Sequence, residues 1–476
     1  MDRPSSSYLL SLLAGPALFL SVLFNEPLFT GMSQAAWVLS GLTAWMAIWW
    51  ITESVPIPVT SLLPIVVIPL LRLDTISNVT APYADPLIFL FLGGFIISIA
   101  MERWNLHQRI ALLTLLAVGS KPSQQIAGMM LVTAFLSMWM SNTATAVMML
   151  PIALSIITMQ DTGSDKFAKA MLLSIAYAAS IGGVATLIGT PPNALLAGYL
   201  RNQYQLEISF ANWMLLGVPV AIVMLFAAWY WLTQWHFRLY QEKVLVSRQL
   251  YLDKLTALGP MQRAEKIVLA VFLLAACLWV FRGWLVSLTG LPLNDTLTAI
   301  FCASLLFVIP VNLKSGQRVL SWEDCTKLPW GILILFGGGL TLAAQIQQSG
   351  LADFIAGQVG ALGTINLLLL IVMVTTVIIF LTEVTSNTAT AAAFLPLLGP
   401  VAVSLNTSAS MLVIPAAIAA SCAFMMPVAT PPNAIVFGSG KLKIADMVKA
   451  GLILNLLAII VITAAVWFIS PRLFAF

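Results

Sequence analysis

Charge is what this sequence has least of. Asp, Glu, Lys and Arg together make up 8% of its 476 residues, against roughly 25% in soluble globular chains. So few charges cannot cover the water-facing surface of a chain this long. An ordinary soluble protein of two or three domains is therefore excluded, and much of the surface must meet lipid. Cysteine is also scarce. Cys277, Cys302, Cys325 and Cys422 show no CxxC spacing, which gives neither a disulfide framework nor a zinc site. Two histidines, His107 and His236, are too few for a haem or a multi-histidine metal centre. No Ser/His pair, paired Asp or HExxH arrangement is present, so an intramembrane enzyme has no candidate machinery. The net charge of +4 is no nucleic-acid signature. No cofactor is expected.

Hydrophobic residues, by contrast, make up 60% of the chain. At about 20 residues per crossing there is room for about a dozen spans. The first apolar segment, Tyr8 to Phe24, reads as a retained helix, because Arg3 is balanced by Asp2 and no A-x-A cleavage site follows. Other segments, such as 108–118 and 389–404, are too short for a core of about 30 Å and read as half-helices, hairpin arms or surface helices.

Basic residues set the orientation. With a cytoplasmic N-terminus, eleven crossings and two hairpins that return to the side they entered, the inside holds Arg3, Arg103, Arg109, Lys121, Lys166, Lys169, Arg238, Lys243, Arg248, Lys254, Arg263, Lys266, Lys314, Arg318, Lys327, Lys441, Lys443 and Lys449. Outside are only Arg72, Arg201, Arg282 and Arg472, with the C-terminus. The connector 237–266 is cytoplasmic and divides the chain near its middle. It separates a first helix (1–34) and a unit at 35–236 from a second unit at 267–476.

The two units repeat each other. Ser141-Asn142-Thr143-Ala144-Thr145-Ala146, followed by Leu150-Pro151, returns 245 residues later as Ser386-Asn387-Thr388-Ala389-Thr390-Ala391 and Leu395-Pro396. Gly93-Gly94 matches Gly338-Gly339 at the same offset, and Thr190-Pro191-Pro192-Asn193 recurs as Thr430-Pro431-Pro432-Asn433 at offset 240. Each unit therefore reads as a Gly-Gly helix, a hairpin (122–160 and 364–404), a helix break (188–193 and 428–433) and a final helix. The first hairpin is flanked by Lys121, Lys166 and Lys169, whereas 349–440 contains no Lys or Arg, so the two units are inverted. Inverted repeats with broken helices mark a secondary transporter, with its site at mid-membrane between the repeats.

The motifs carry matching chemistry. Thr-Pro-Pro-Asn interrupts a helix and frees the carbonyls around Ile188-Gly189 and Val428-Ala429. Carbonyl and hydroxyl oxygens suit a sodium ion. Ser-Asn-Thr offers hydroxyls and an amide at a helix start, where anions are favoured. No basic residue lies near the four motifs, so an anionic substrate would need helix dipoles, amides and co-bound cations. Glu53, Glu102 and Glu383 lie in apolar surroundings and are functional candidates. Glu383 reads either as a proton carrier or as an anchor behind Ser386, the latter being favoured. Glu102-Arg103 reads as a membrane-surface pair.

The stretches MWMSNTATAVMMLP (138–151), TEVTSNTATAAAFLP (382–396), GTPPNAL, ATPPNAI, WWITESVPIPVTSLLP (49–64) and MERWNLHQRIAL (101–112) resemble the divalent anion/sodium symporter family of di- and tricarboxylate transporters. The resemblance covers nearly the whole chain. It implies an all-α polytopic homodimer of eleven-span protomers with two re-entrant hairpins, in which a transport domain moves against a scaffold by an elevator mechanism. One sodium site would use Ser137, Ser141, Asn142 and Gly189, and the other Thr382, Thr385, Asn387 and Ala429. Substrate carboxylates would meet Ser141, Asn142 and Thr143 on one hairpin and Ser386, Asn387, Thr388 and Thr430 on the other side. The expectation is sodium-coupled import of C4-dicarboxylates (succinate, fumarate, malate) across a bacterial inner (plasma) membrane. The alternative is a sodium-independent dicarboxylate or citrate exchanger of the same family. The cation sites contain no inserted Lys, Arg or His, which favours the symporter. A channel would explain broken helices but not two inverted cation and anion sites.

Overall fold

The computed structural model describes residues 6–158, 165–241, 248–314, 316–360 and 366–474. Arg3 and Lys243, the end of the first hairpin segment at 159–160 and the start of the second at 364–365 lie outside the described residues.

The described chain is helical apart from one short antiparallel pair, Pro310–Asn312 with Gln317–Arg318. Seven helices among the described residues are long and apolar enough to cross a membrane, and a bent pair, Arg263–Val280 with Arg282–Thr289, adds a broken eighth. Shorter apolar helices include Tyr8–Leu23, Ile57–Leu70 and Asp295–Val308.

The repeat seen in the sequence is a repeat of elements. Pro86–Arg103, Leu106–Ala117, Pro122–Ser137 and Asn142–Thr158 recur in order as Trp330–Gln348, Leu351–Gly360, Leu367–Thr382 and Asn387–Ser404. The hairpin arms run 16 to 18 residues. At 1.5 Å per residue they span about 24–27 Å, short of a bilayer core of about 30 Å. Contacts between the units are reciprocal. The second arm of the first hairpin packs on Pro431–Phe437, and the second arm of the second hairpin packs on Pro191–Tyr204.

The Gly-Gly pairs allow close helix packing. A Cβ on Gly93 would lie 2.7 Å from the backbone of Ala299, so the side chain's absence lets Pro86–Arg103 pack against Asp295–Val308. Small residues serve helix contacts in lipid in this way.

The helix breaks differ from the expected 188–193 and 428–433. Asp165–Val184 stops before residue 185 and helix resumes at Pro191, while Ser410–Ala420 stops before 421 and helix resumes at Pro431. The prolines start the second half-helix rather than ending the first. A missing N–H costs nothing at a first turn, where it would have no helical partner. Arg103 also departs from expectation. It pairs with Asp324 and not with Glu102, its chain neighbour, because adjacent residues on a helix do not face each other.

Candidate anion and cation site

The two hairpin turns and the two helix breaks enclose one cavity of about 650 Å³. Its lining includes every residue expected to touch substrate: Ser141, Asn142, Thr143, Ser386, Asn387, Thr388 and Thr430. Of the expected sodium ligands, Gly189, Thr385 and Ala429 also line it. Ser137 and Thr382 are fully buried behind the turns. Thr190, the repeat partner of Thr430, lines the cavity as well. It was open to discovery from the sequence, since the offset of 240 that matches the two motifs pairs these threonines.

Hairpin geometry sets the turns. Ser141 Oγ accepts from the Ala144 amide (3.2 Å) at the start of Asn142–Thr158. Ser386 stands at the same place before Asn387–Ser404 without a side-chain cap, which leaves early N–H groups of that helix without a side-chain acceptor at a turn whose residues 386–388 line the cavity. The half-helices at Pro191 and Pro431 point their N-termini there too, yet two prolines supply no amide donor. Donors for an anion therefore come from the hairpin turns and from the hydroxyls of Thr190 and Thr430. The lining contains no Lys, Arg or His.

Behind each turn is a cluster of converging oxygens. Ser137 Oγ lies 2.6 Å from Asn142 Oδ1 and 2.7 Å from the Ala179 carbonyl. Thr382 Oγ1 lies 2.7 Å from Asn387 Oδ1 and 3.0 Å from the Ala420 carbonyl. A hydroxyl has one proton, so it serves one of its two neighbouring oxygens at a time and leaves lone pairs on the hydroxyl and the amide oxygen free to meet a cation. Among the described residues no donor reaches the buried carbonyls of Gly189 and Ala429 either. Unpaired buried oxygens are costly, and a hard cation relieves that cost. Gly183 completes the first cluster by omission. A Cβ there would lie 2.6 Å from Asn142 Oδ1 and 3.1 Å from the Gly189 oxygen.

Each break is held from within. Asn193 Nδ2 donates to the carbonyls of Gly183 (3.2 Å), Val184 (3.3 Å) and Thr186 (2.8 Å). Asn433 Nδ2 donates to Ala423 (3.2 Å) and Met426 (2.9 Å). The carboxylate of Glu383 accepts from the amides of Phe424 (2.8 Å), Met425 (3.0 Å) and Met426 (2.9 Å) and from Asn455 Nδ2 (2.7 Å). This is the anchor arrangement. It clamps the segment that leads to Ala429, and both carboxylate oxygens are occupied.

A multi-helix membrane protein whose cavity lies between two hairpins and two broken helices is by class a transporter, not an enzyme. A sequence profile of the sodium:sulfate symporter transmembrane region matches residues 6–473. The chain belongs to that family, the divalent anion/sodium symporters that its motifs resemble. It is similar to the sodium-dependent dicarboxylate transporter SdcS of Staphylococcus saprophyticus, 44% identical over 97% of this chain and 91% of the relative. The transporter of the same name in Staphylococcus aureus strain USA300 is 44% identical over 98% of this chain and 92% of its own length. Among solved structures, the YdaH transporter of Alcanivorax borkumensis shares the fold, with a TM-score of 0.61 over 85% of this chain and 89% of that one at 13% identity.

Proposed function

We propose that this protein is a sodium-coupled symporter that imports C4-dicarboxylates such as succinate, fumarate and malate. The observation that carries the reading is the pair of repeat-related oxygen clusters that border a cavity without basic residues. Sodium ions held by Ser137, Ser141, Asn142 and Gly189, and by Thr382, Thr385, Asn387 and Ala429, supply the positive charge that the lining lacks. Ser141, Asn142, Thr143, Ser386, Asn387, Thr388 and Thr430 then donate to the two carboxylates. The names of the staphylococcal relatives agree with this chemistry. Uptake of labelled succinate into reconstituted vesicles should fall to background when choline replaces sodium. Uptake unchanged by that replacement would favour the exchanger.

Alternating access belongs to the same proposal. The hairpins and broken helices form the moving body of an elevator, in a homodimer of eleven-span protomers with cytoplasmic N-termini. The expected topology is testable at two exposed positions. A cysteine at Leu252 should react from the cytoplasm and one at Gln205 from outside. Labelling of both from one face would refute the eleven-crossing arrangement.

A further inference from the structure

The cavity lining contains a single ionisable side chain among the described residues, Glu53. It belongs to neither hairpin and neither break. It caps Gln34–Thr52 at the C-terminal end with left-handed backbone angles, φ 48° and ψ 28°. Glycine or asparagine is the ordinary choice at such a position, so local backbone preference does not explain a glutamate. The neighbouring backbone is pinned. Tyr8 Oη donates to the Ser54 carbonyl (3.2 Å), and Ser54 Oγ lies 2.7 Å from both Thr52 Oγ1 and Ser11 Oγ. The Glu53 side chain is exposed and lines the cavity, and among the described residues it has no hydrogen-bond or ion-pair partner. The basic side chains in ion pairs elsewhere, such as Arg103 with Asp324 and Arg109 with Glu265, leave it uncompensated.

An unpaired carboxylate beside an anion site must do something to the anion. A cleft with low-dielectric walls focuses its field, and the interaction energy rises in proportion to the ligand's charge. We propose that Glu53 is a specificity-determining residue that discriminates among anions by charge. It leaves a dianion transportable and penalises a trianion of similar shape. This inference rests on the reading of the cavity as the anion site. A solvated helix cap with no influence on the ligand is the competing account.

The two accounts separate in a charge series. Succinamate, succinate and tricarballylate carry one, two and three carboxylates on related skeletons. Their inhibition of labelled succinate uptake would be measured at fixed pH and saturating sodium, in the wild type and in Glu53→Gln. That exchange keeps side-chain size and removes the charge. The proposal expects affinity to rise with ligand charge, for example by about twofold, fourfold and eightfold along the series, because the repulsion removed scales linearly with charge. The gain should shrink when inert choline chloride raises the ionic strength, since the carboxylate is exposed. Glu53→Asp should keep the wild-type order. Glu53→Asn tolerates the left-handed backbone and should reproduce the series, so it decides the matter if the Gln variant does not reach the membrane. Equal factors for all three ligands, or no change in any, would overturn the proposal. A wild type that takes up no succinate would instead overturn the transport reading.

Discussion

Asn387→Asp should abolish dicarboxylate uptake while sparing or strengthening sodium binding. The Asn387 amide faces two ways. Its Oδ1 sits in the buried cluster 2.7 Å from Thr382 Oγ1, while among the described residues no protein acceptor engages its Nδ2 on the cavity side. Asparagine can serve both sides because it carries an acceptor and two donors. Aspartate keeps the oxygen for the cation, loses the donor and sets a negative charge against a dianion. The lost hydrogen bond to a charged group costs roughly 1.5–3 kcal/mol, about ten- to a hundredfold in affinity, before repulsion is added. Asn387→Ala should weaken both ligands together. Asn142, with Oδ1 at 2.6 Å from Ser137 Oγ, should repeat the contrast. A near-normal succinate affinity in the Asp variant, measured in reconstituted vesicles at saturating sodium, would remove these residues from the substrate site.

The second large effect is expected at Gly183. Alanine there places its Cβ 2.6 Å from Asn142 Oδ1 and 3.1 Å from the Gly189 oxygen, in the space where both oxygens converge. The helix that holds Gly183 is buried from Ala170 to Val184, so the hairpin side chain must yield. Displacing a cation ligand through its supporting neighbour should raise the sodium concentration for half-maximal uptake by about ten- to a hundredfold. Gly357, whose Cβ would meet nothing within 4 Å, provides the control. Alanine there should be neutral or stabilising by about 0.5–1 kcal/mol. Wild-type sodium dependence in Gly183→Ala would show that this oxygen cluster holds no sodium.

The order of elements was legible in the sequence because duplication writes it twice. The offset of 245 that relates Asn142 to Asn387 also relates Pro122–Ser137 to Leu367–Thr382. The lining residues at the turns were legible for the same reason, since a Ser-Asn-Thr run is conspicuous among apolar neighbours. The ends of the helix breaks were not. Proline reads as a terminator in isolation, and only the fold shows that Pro191 and Pro431 open a helix. Ser137 and Thr382 look like ordinary small polar residues on hairpin arms. Their place behind Asn142 and Asn387 depends on how tightly the turn closes, and the family resemblance had to supply it. Glu53 was visible as a charge in apolar surroundings. That it lines the cavity depends on the packing of Gln34–Thr52 against the second unit, which no local pattern encodes.

Duplication has not left the two halves electrically alike. At the offset of 245, Glu383 stands where the first half has Met138, whose backbone carbonyl accepts from the Thr186 hydroxyl. One half therefore secures its break with a neutral bond and the other with a buried carboxylate whose every partner is a donor. The Glu383 carboxylate acts more strongly on the cation position proposed beside it than on the more distant twin. On the reading proposed above, the architecture's symmetry supplies two seats, and this single substitution ranks them. The cation beside Glu383 should then be taken up at lower concentration and given up later, which would give a structure of two matched halves a sequence in time.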